Sequence, residues 1–213
     1  MKNKIKNLII FPISLGILAF LYFILIEWLP LQPYGYKYVG VLPVLLGLLV
    51  CAILIVVSII SLLLCFNRST RKVSLLIFIS SISIIVFSVL GFKLRENVRI
   101  WEFKHLSKRS IPLINAINLY KKKENKLPNK LSNLIPNYIT KLPNTGMAAY
   151  PKYNYSIRKN GDELNGNDWI LSVDCPRGVL NWDVFFYLSN QKYPKRAFGG
   201  TIVKVENWAY VHE

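Results

Sequence analysis

The sequence predicts an α+β membrane protein in which three transmembrane helices are followed by one C-terminal domain. Three segments, 8–26, 41–66 and 73–92, contain no charged residue. About 20 apolar residues cross the hydrocarbon layer as a helix, so each segment is long enough to span it. Residues 93–213 are polar and rich in Tyr, Asn and Lys, and a chain of that length can form one small core. We therefore expect an anchor over 1–92, with spans at about 8–28, 41–66 and 73–92, and a domain over 93–213.

The first apolar segment is expected to stay on the chain as an anchor. It begins with basic residues, as a signal peptide does, but its apolar stretch is longer than a typical signal's. It ends at Glu27 and Trp28 without the small-x-small pattern of a signal-peptide cleavage site.

The distribution of Lys and Arg in the short flanks predicts the orientation of the anchor. The N-terminal tail carries three lysines, and the turn between the second and third spans carries Arg68, Arg71 and Lys72. The loop over 29–40 carries only Lys37. Because cytoplasmic loops hold the excess of Lys and Arg, we expect a bacterial inner-membrane protein with a cytoplasmic N-terminus and a periplasmic C-terminal domain. Aromatic residues suited to the lipid–water interface flank or occupy that loop: Trp28, Tyr34, Tyr36 and Tyr38.

The end of the third span resembles the processing site of type IV prepilins, Gly-Phe-x-x-x-Glu, which here is Gly91, Phe92 and Glu96. In a prepilin the apolar helix follows that site. Here the apolar residues precede Gly91 and charged residues follow it. The segment is therefore interpreted as the membrane exit of the third span.

The domain is predicted to pack one long helix on a small antiparallel sheet. Residues 93–109 stay compatible with a helix, and Ser110 is expected to cap a second helix that has Pro112 in its first turn. The apolar face of that helix is predicted to contain Ile111, Leu113, Ile114, Ala116, Ile117 and Tyr120. Four strands are predicted in 153–158, 168–174, 183–189 and 201–211, with Gly199–Gly200 as a hairpin signal.

This order of elements resembles the globular part of type II secretion major pseudopilins and type IV pilin-like proteins. The resemblance covers roughly 111–174 and rests on these positions: Tyr120, Asn125, Leu127, Pro128, Leu131, Leu134, Tyr138, Pro143, Gly146, Tyr153 and Tyr155. It implies a pilin-like domain that acts through protein contacts. The family's Asp-Pro-Trp-Gly segment appears only as 143–146, without the acidic and aromatic residues.

The calcium site of the family is not expected in this chain. Calcium prefers six to eight oxygen ligands, and the sequence has no short loop of repeated acidic residues. The acidic residues near the predicted strands are interpreted as carboxylates that face water: Asp162, Glu163, Asp168, Asp174 and Asp183.

Signals of catalysis are sparse. Cys175 is the only cysteine in 93–213, and nothing in the spacing brings it to His105 or His212. The chain contains neither HExxH nor CxxC, and it has no glycine-rich phosphate loop. We therefore expect no catalytic, cofactor-binding or metal-binding residues. An enzyme would instead require a cluster of perturbed groups, such as Asp168, Asp174 and His212.

Basic charge is the strongest signal outside the spans. Residues 93–130 contain eleven Lys and Arg but only three Glu. The four nearest the third span, Lys93, Arg95, Arg99 and Lys104, are predicted to contact anionic head groups, each contributing on the order of 1 kcal/mol. Two further sets are interpreted either as a partner surface or as a solvated helix end and core aromatic residues: Lys121, Lys122 and Lys123, and Trp169, Trp182 and Trp208.

These observations lead to a non-enzymatic envelope protein that presents the domain to a protein partner, as an accessory to a secretion or pilus-like system. An alternative is an immunity protein that binds an incoming toxin, since a basic face suits an acidic partner. A third hypothesis is an envelope enzyme. A domain outside the cell meets little nucleic acid, so we expect no nucleic-acid partner, and no small-molecule substrate is evident.

Overall fold

The computed structural model describes residues 2–37, 41–158, 166–177 and 181–212, with side chains from residue 9 onward. Tyr38, Asp162 and Glu163 lie outside these ranges. The chain divides into two compact units. The first contains Met1–Trp28 and Gly40–Val98, and the second contains Leu29–Val39 and Arg99–Glu213.

The first unit consists of helices whose length and composition suit a membrane. Helix α1 covers Lys2–Trp28, α2 covers Val41–Leu64, and α3 covers Arg71–Arg109. Within the described residues, three helices are long and apolar enough to cross a membrane, which confirms the predicted number of long apolar helices. Helix α3 runs on past residue 92 to Arg109, as the continuous helical pattern of 93–109 predicted.

Glycines allow the helices of the first unit to approach closely. A Cβ at Gly91 would lie 2.8 Å from the carbonyl oxygen of Phe20, and one at Gly16 would lie 2.5 Å from Ser83 Oγ. Gly91 and Ser83 belong to α3, whereas Phe20 and Gly16 belong to α1. Small residues bring helix backbones together in membranes because packing there has no hydrophobic driving force. Gly91 is thus a packing position between two helices.

Two helices lead into the core of the second unit. Helix α4 covers Ile111–Glu124 and is followed by a short 3-10 helix at Leu131–Leu134. The predicted cap at Ser110 is wrong: Ser110 keeps right-handed helical dihedrals and makes no side-chain cap. Its hydroxyl instead donates to Ser107 O at 2.6 Å and accepts from Trp208 Nε1 at 3.1 Å.

The predicted apolar face of α4 is largely correct. Four of its residues are buried: Leu113, Ile114, Ala116 and Ile117. Tyr120 packs against the core from a partly buried position, whereas Ile111 is 46% exposed, which corrects its assignment to the buried face.

The sheet is antiparallel, as predicted, but it has six strands instead of four. The strands are β1 Asn154–Ile157, β2 Trp169–Asp174, β3 Val184–Leu188, β4 Arg196–Ala197, β5 Gly200–Val205 and β6 Trp208–His212. Their order across the sheet is β1-β2-β3-β6-β5-β4.

Two tight turns account for the additional strands. The predicted fourth strand is interrupted at Glu206, whose φ of 57° reverses the chain so that Val205 pairs with Trp208. The Gly199–Gly200 hairpin signal is confirmed by the pairing of Ala197 with Gly200. Phe198 and Gly199 both have positive φ, as two-residue hairpin turns of type I′ require.

The two faces of the sheet bury two cores. The larger core packs α3 and α4 against one face, with Phe103, Leu113 and Trp208 at 0% exposure. The smaller core lies on the opposite face around Phe186 and Ala209. The segment after β3 covers this second face, since the Tyr193 hydroxyl accepts from Leu188 N at 3.1 Å and donates to Asn207 O at 2.6 Å.

The segment after α1 also belongs to the second unit, which the sequence did not predict. Leu31 is 1% exposed within the larger core. Ala148 N donates to Gln32 O and Ala149 N donates to Pro30 O, both at 3.0 Å. The Gln32 amide donates to Glu102 Oε1 at 2.5 Å. This segment is therefore held by backbone hydrogen bonds as well as by apolar contact.

We predict that Gly91→Leu destabilises the first unit by about 1–3 kcal/mol, because the added side chain must displace the backbone of α1. The free energy of unfolding of the purified protein in micelles, followed by circular dichroism during titration with SDS, measures this change. The control is Val89→Leu, which enlarges a side chain on the same helix that is 48% exposed. Equal stability of the two variants would contradict close packing at Gly91.

Candidate functional site

The centre of the second unit is a buried ion pair between Arg99 and Asp183. Neither side chain is exposed, and Arg99 Nη2 lies 3.7 Å from Asp183 Oδ2. The same nitrogen donates to the carbonyl oxygen of Cys175, and Arg99 Nη1 donates to the Tyr150 hydroxyl at 3.4 Å. A buried charge is stable only when it is paired and hydrogen-bonded. Arg99 meets both conditions.

Aromatic rings surround the guanidinium of Arg99. Its central carbon lies 5.1 Å from the ring centre of Phe103 and 5.5 Å from those of Tyr150 and Tyr210. The faces of aromatic rings attract cations, and the attraction grows when water is excluded. Phe103 follows Arg99 by four residues on α3, so these two side chains share one face of the helix.

Asp183 is held by donors from the adjacent strand. The Tyr210 hydroxyl donates to Asp183 Oδ2 at 2.5 Å, and His212 Nδ1 lies 2.9 Å from Asp183 Oδ1. Tyr210 and His212 are two residues apart on β6, so both point to the face of the sheet that Asp183 occupies. Burial is the main reason that the pKa of Tyr210 is raised, so its hydroxyl remains a donor at neutral pH.

The hypothesis of an envelope enzyme requires Asp168, Asp174 and His212 to lie in one cluster. These three side chains do not form one. Asp168 and Asp174 are exposed at opposite ends of β2, which puts them roughly 20 Å apart at the usual rise per residue of a strand. Asp168 pairs with Lys121, and Asp174 accepts from the Asn154 amide at 2.8 Å. His212 contacts Asp183 instead of either.

The thiol of Cys175 is unsuited to nucleophilic chemistry. Cys175 is buried, and burial raises the pKa of its thiol to about 12. The thiolate is the reactive form of cysteine, so at neutral pH the group is protonated and inert. No cluster of three or more His, Cys, Asp or Glu side chains that could hold a metal ion occurs among the described residues.

The four predicted head-group contacts have different positions. Lys93 and Lys104 are exposed, and their contact with lipid stays a prediction. Arg95 Nε lies 3.4 Å from Glu27 Oε2, and its side chain is only 14% exposed. Arg99 is fully buried, which corrects its assignment to the membrane surface: its charge is neutralised by Asp183 inside the domain.

The residues predicted to form a partner surface differ in their exposure to solvent. Trp182 is 74% exposed, whereas Trp169 and Trp208 are 1% and 0% exposed and belong to the larger core, which agrees with their interpretation as core residues and rules them out as partner surface. Lys121, Lys122 and Lys123 are exposed at the end of α4. Lys121 is paired with Asp168, and Lys123 Nζ lies 5.8 Å from the centre of the Tyr138 ring.

The surface of the second unit is strongly basic. Among its described residues, fourteen Lys and Arg are exposed against four Asp and Glu. Four exposed lysines lie within nine residues around the end of α4, and we call them the basic end: Lys122, Lys123, Lys126 and Lys130. Glu124 lies among them, and it accepts a hydrogen bond from the Tyr138 hydroxyl at 2.6 Å, which is the main cause that raises the pKa of Tyr138 to about 12.

The sequence reasoning missed Asp183, which was interpreted as a carboxylate facing water. Apart from the Asn181 amide, which donates to Asp183 Oδ1 at 3.3 Å, its side-chain partners come from β6 and from α3, more than 25 residues away, so no local pattern marks its charged partner. The spacing of four residues between Arg99 and Phe103 indicates that the two side chains share a helix face. It does not identify Asp183 as the partner of Arg99.

Comparison with known proteins gives no match: no protein-family model, curated protein or solved structure corresponds to this chain. The resemblance to major pseudopilins stays a prediction from the sequence.

We predict that Asp183→Asn destabilises the protein by about 3–5 kcal/mol, because the Arg99 charge is then buried without a counter-charge. Unfolding of the purified protein by denaturant, followed by tryptophan fluorescence, measures the change. Asp174→Asn is the matched control. It removes an exposed carboxylate one register position along the sheet and should change stability by less than about 0.5 kcal/mol.

The double variant Arg99→Met with Asp183→Leu tests whether the loss of stability in Asp183→Asn comes from the unpaired charge of Arg99. Replacing both members of a buried pair by apolar residues is often neutral or stabilising, so this variant should be more stable than Asp183→Asn alone. A double variant that is less stable than the single one would show that the pair contributes through hydrogen bonds rather than through charge compensation.

Proposed function

We propose that this protein is a non-enzymatic, multi-pass envelope protein that presents its second unit to an acidic protein partner. The observation that carries this proposal is the imbalance of exposed charge, fourteen basic against four acidic side chains among the described residues of that unit. A surface of one sign attracts partners of the opposite sign over several ångströms and accelerates their encounter.

The basic end is the part of this surface best suited to a partner. Lys122 and Lys123 lie in the last turn of α4, where the negative end of the helix dipole favours cations, and Lys126 and Lys130 follow the helix. Asp168 pairs with Lys121, and Glu124 lies among the four lysines of the basic end, which therefore keeps a net positive charge.

The membrane provides the context for this surface. Three helices suited to spanning support a location in a bilayer, and the Lys and Arg distribution favours a second unit on the periplasmic side of a bacterial inner membrane. The resemblance of 111–174 to major pseudopilins favours an accessory role in a secretion or pilus-like system. The basic surface also suits the alternative, an immunity protein that binds an acidic toxin.

The proposed orientation puts the C-terminus on the periplasmic side of the membrane. Alkaline phosphatase fused after residue 213 should be active, because it folds only in the periplasm. Green fluorescent protein fused at the same position should be dark, because it becomes fluorescent only when it folds in the cytoplasm. The matched control is a pair of fusions after Asn67, in the turn between α2 and α3, which should give the opposite result. Green fluorescence from the fusion at 213 would contradict the proposed periplasmic location.

The second prediction concerns the basic end. Replacing Lys122, Lys123 and Lys126 by Glu should reduce recovery of the partner at least about tenfold when the tagged protein is cross-linked and captured from native membranes. The matched control replaces Lys192, Lys195 and Lys204, which are exposed elsewhere on the unit, so that net charge changes equally.

The comparison of the two triple variants shows whether the partner contacts the basic end itself or responds only to the net charge of the second unit. Loss of the partner in the first variant alone supports the basic end as the contact surface. Equal recovery in both variants, or equal loss in both, would contradict it. Capture of a partner that is not acidic would contradict the proposed charge complementarity.

A further inference from the structure

Strand β1 forms one open edge of the sheet. Among the described strands it has only β2 as a neighbour, with which it pairs from Asn154 to Ile157. In an antiparallel pair, residues that bond to the partner strand alternate with residues whose backbone N–H and C=O point the other way. Every second residue of β1 therefore presents both backbone groups to the outside of the sheet.

The register identifies the outward residues of β1 as Tyr155 and Ile157. Arg158 N donates to Asp168 O at 2.9 Å, which continues the pairing of β1 with β2 by one residue. Because bonded positions recur every second residue, the residues two and four positions before Arg158 also bond to β2. In the part of the chain that the structure describes, no backbone group bonds to the N–H or C=O of Tyr155 or Ile157.

The other side of β2 supports the same alternation. Cys175 N donates to Asp183 O at 2.8 Å in the register of β2 with β3. The odd-numbered residues of β2 therefore bond to β3, which leaves the even-numbered residues to bond to β1. Ile170 is one of these, and it pairs with Ser156. Ser156 thus bonds inward, and its two neighbours in β1 bond outward.

This edge lacks the features that usually keep a strand from pairing with another chain. Natural edges are blocked by Lys or Pro within the strand or by strands that are very short. Strand β1 has four residues, none of them charged and none of them proline, and Ile157 is 43% exposed. The strand at the opposite end of the sheet order, β4, has only two residues, and one of them is Arg196. The edge at β1 is therefore the one suited to pairing.

Basic residues lie at both ends of this edge. Lys152 is exposed two residues before β1, and Arg158 directly follows the strand. Their spacing of six residues puts them on the same face of an extended chain. The carboxylates of β2 are already engaged, since Asp168 pairs with Lys121 and Asp174 accepts a hydrogen bond at 2.8 Å from an amide of β1. A strand added at the edge would thus meet a basic side chain at each end.

The charge of the second unit decides which kind of segment fits. A second copy of the chain would bring a like-charged surface, with fourteen exposed basic against four acidic side chains among the described residues. The edge is also continuous with the basic end, because Lys121 precedes Lys122 and pairs with Asp168, which bonds to Arg158. An acidic segment is attracted to both places.

We propose that β1 binds an extended acidic segment of the partner, which adds to the sheet as a further strand antiparallel to β1. Its backbone would exchange hydrogen bonds with Tyr155 and Ile157. Its side chains would alternate, apolar beside Ile157 and acidic beside Lys152 and Arg158. When a strand is added to a sheet edge, backbone hydrogen bonds give affinity and alternate side chains give specificity. This inference rests on the proposed function, because it takes the partner to be acidic.

The test uses the full chain in micelles and the heptapeptide acetyl-Glu-Val-Thr-Val-Thr-Val-Glu-amide. In the antiparallel register its seven residues face residues 158 to 152 in turn. Binding is measured by isothermal titration calorimetry. We expect this peptide to bind at least about tenfold more tightly than the same peptide with Lys in place of both Glu, because like charges opposite Lys152 and Arg158 repel.

Methylation of single peptide nitrogens distinguishes strand addition from attraction by charge alone. The nitrogen of the fourth residue faces Tyr155 O in this register, so its methylation should weaken binding at least about tenfold. The matched control is methylation of the fifth residue, whose nitrogen points away from β1. It should weaken binding by less than about threefold.

Ile157→Pro tests the edge from the side of the protein. It removes an outward N–H while leaving the pairing of β1 with β2, because proline is tolerated where the N–H of an edge strand faces solvent. We expect binding of the Glu peptide to fall at least about tenfold. Ile157→Ala keeps the N–H and should stay within about threefold of the unmodified protein. The midpoint of thermal unfolding shows whether each variant is folded.

Four results would overturn strand addition at β1. They are binding of neither peptide, equal binding of the Glu and Lys peptides, an equal effect of the two methylations, and equal binding by folded Ile157→Pro and Ile157→Ala. The two methylated peptides decide the question with the unmodified protein if Ile157→Pro does not fold. Capture of an acidic partner through the basic end, combined with any of these four results, would reject strand addition and leave the proposed function standing.

Discussion

Arg99 carries its charge into a part of the protein that water does not reach, and the second unit is arranged around that charge. Asp183 supplies the counter-charge, the carbonyl of Cys175 and the hydroxyl of Tyr150 accept its hydrogens, and three aromatic rings surround it. These groups come from α3, from the segment before β1, from the ends of β2 and β3, and from the middle of β6. One cation therefore fixes the packing of a helix against the middle of the sheet, because removing any partner leaves an expensive buried charge.

The basic surface of the second unit follows mainly from its composition, since its described residues include eighteen Lys and Arg against six Asp and Glu. Asp183 neutralises Arg99 in the core, and Glu102 is buried where it accepts from Gln32. Two of the acidic residues of the second unit are thus used internally, and the lysines at the surface have few counter-charges.

The sheet shows where local patterns lose their predictive value. Strands β2 and β3 were predicted because runs of β-branched and aromatic residues lie between clear turn signals. The hairpin of β5 and β6 was predicted as one strand, because Glu206 gives no sign in the sequence of the positive φ that it adopts. Strand β4 consists of two residues and is defined only by its pairing with β5, so no periodicity can indicate it.

By itself, the sequence determined the three long apolar helices, the continuation of α3 beyond the third apolar segment, and an antiparallel sheet packed on helices. These features depend on the length of charge-free runs and on side-chain periodicity, which are local properties. Only the tertiary structure decided that Arg99 is buried instead of at the head groups, that Asp183 is its partner, and that Trp169 and Trp208 belong to the core. Burial and pairing depend on residues far apart in the chain, so the energy that decides them exists only once the fold has brought those residues together.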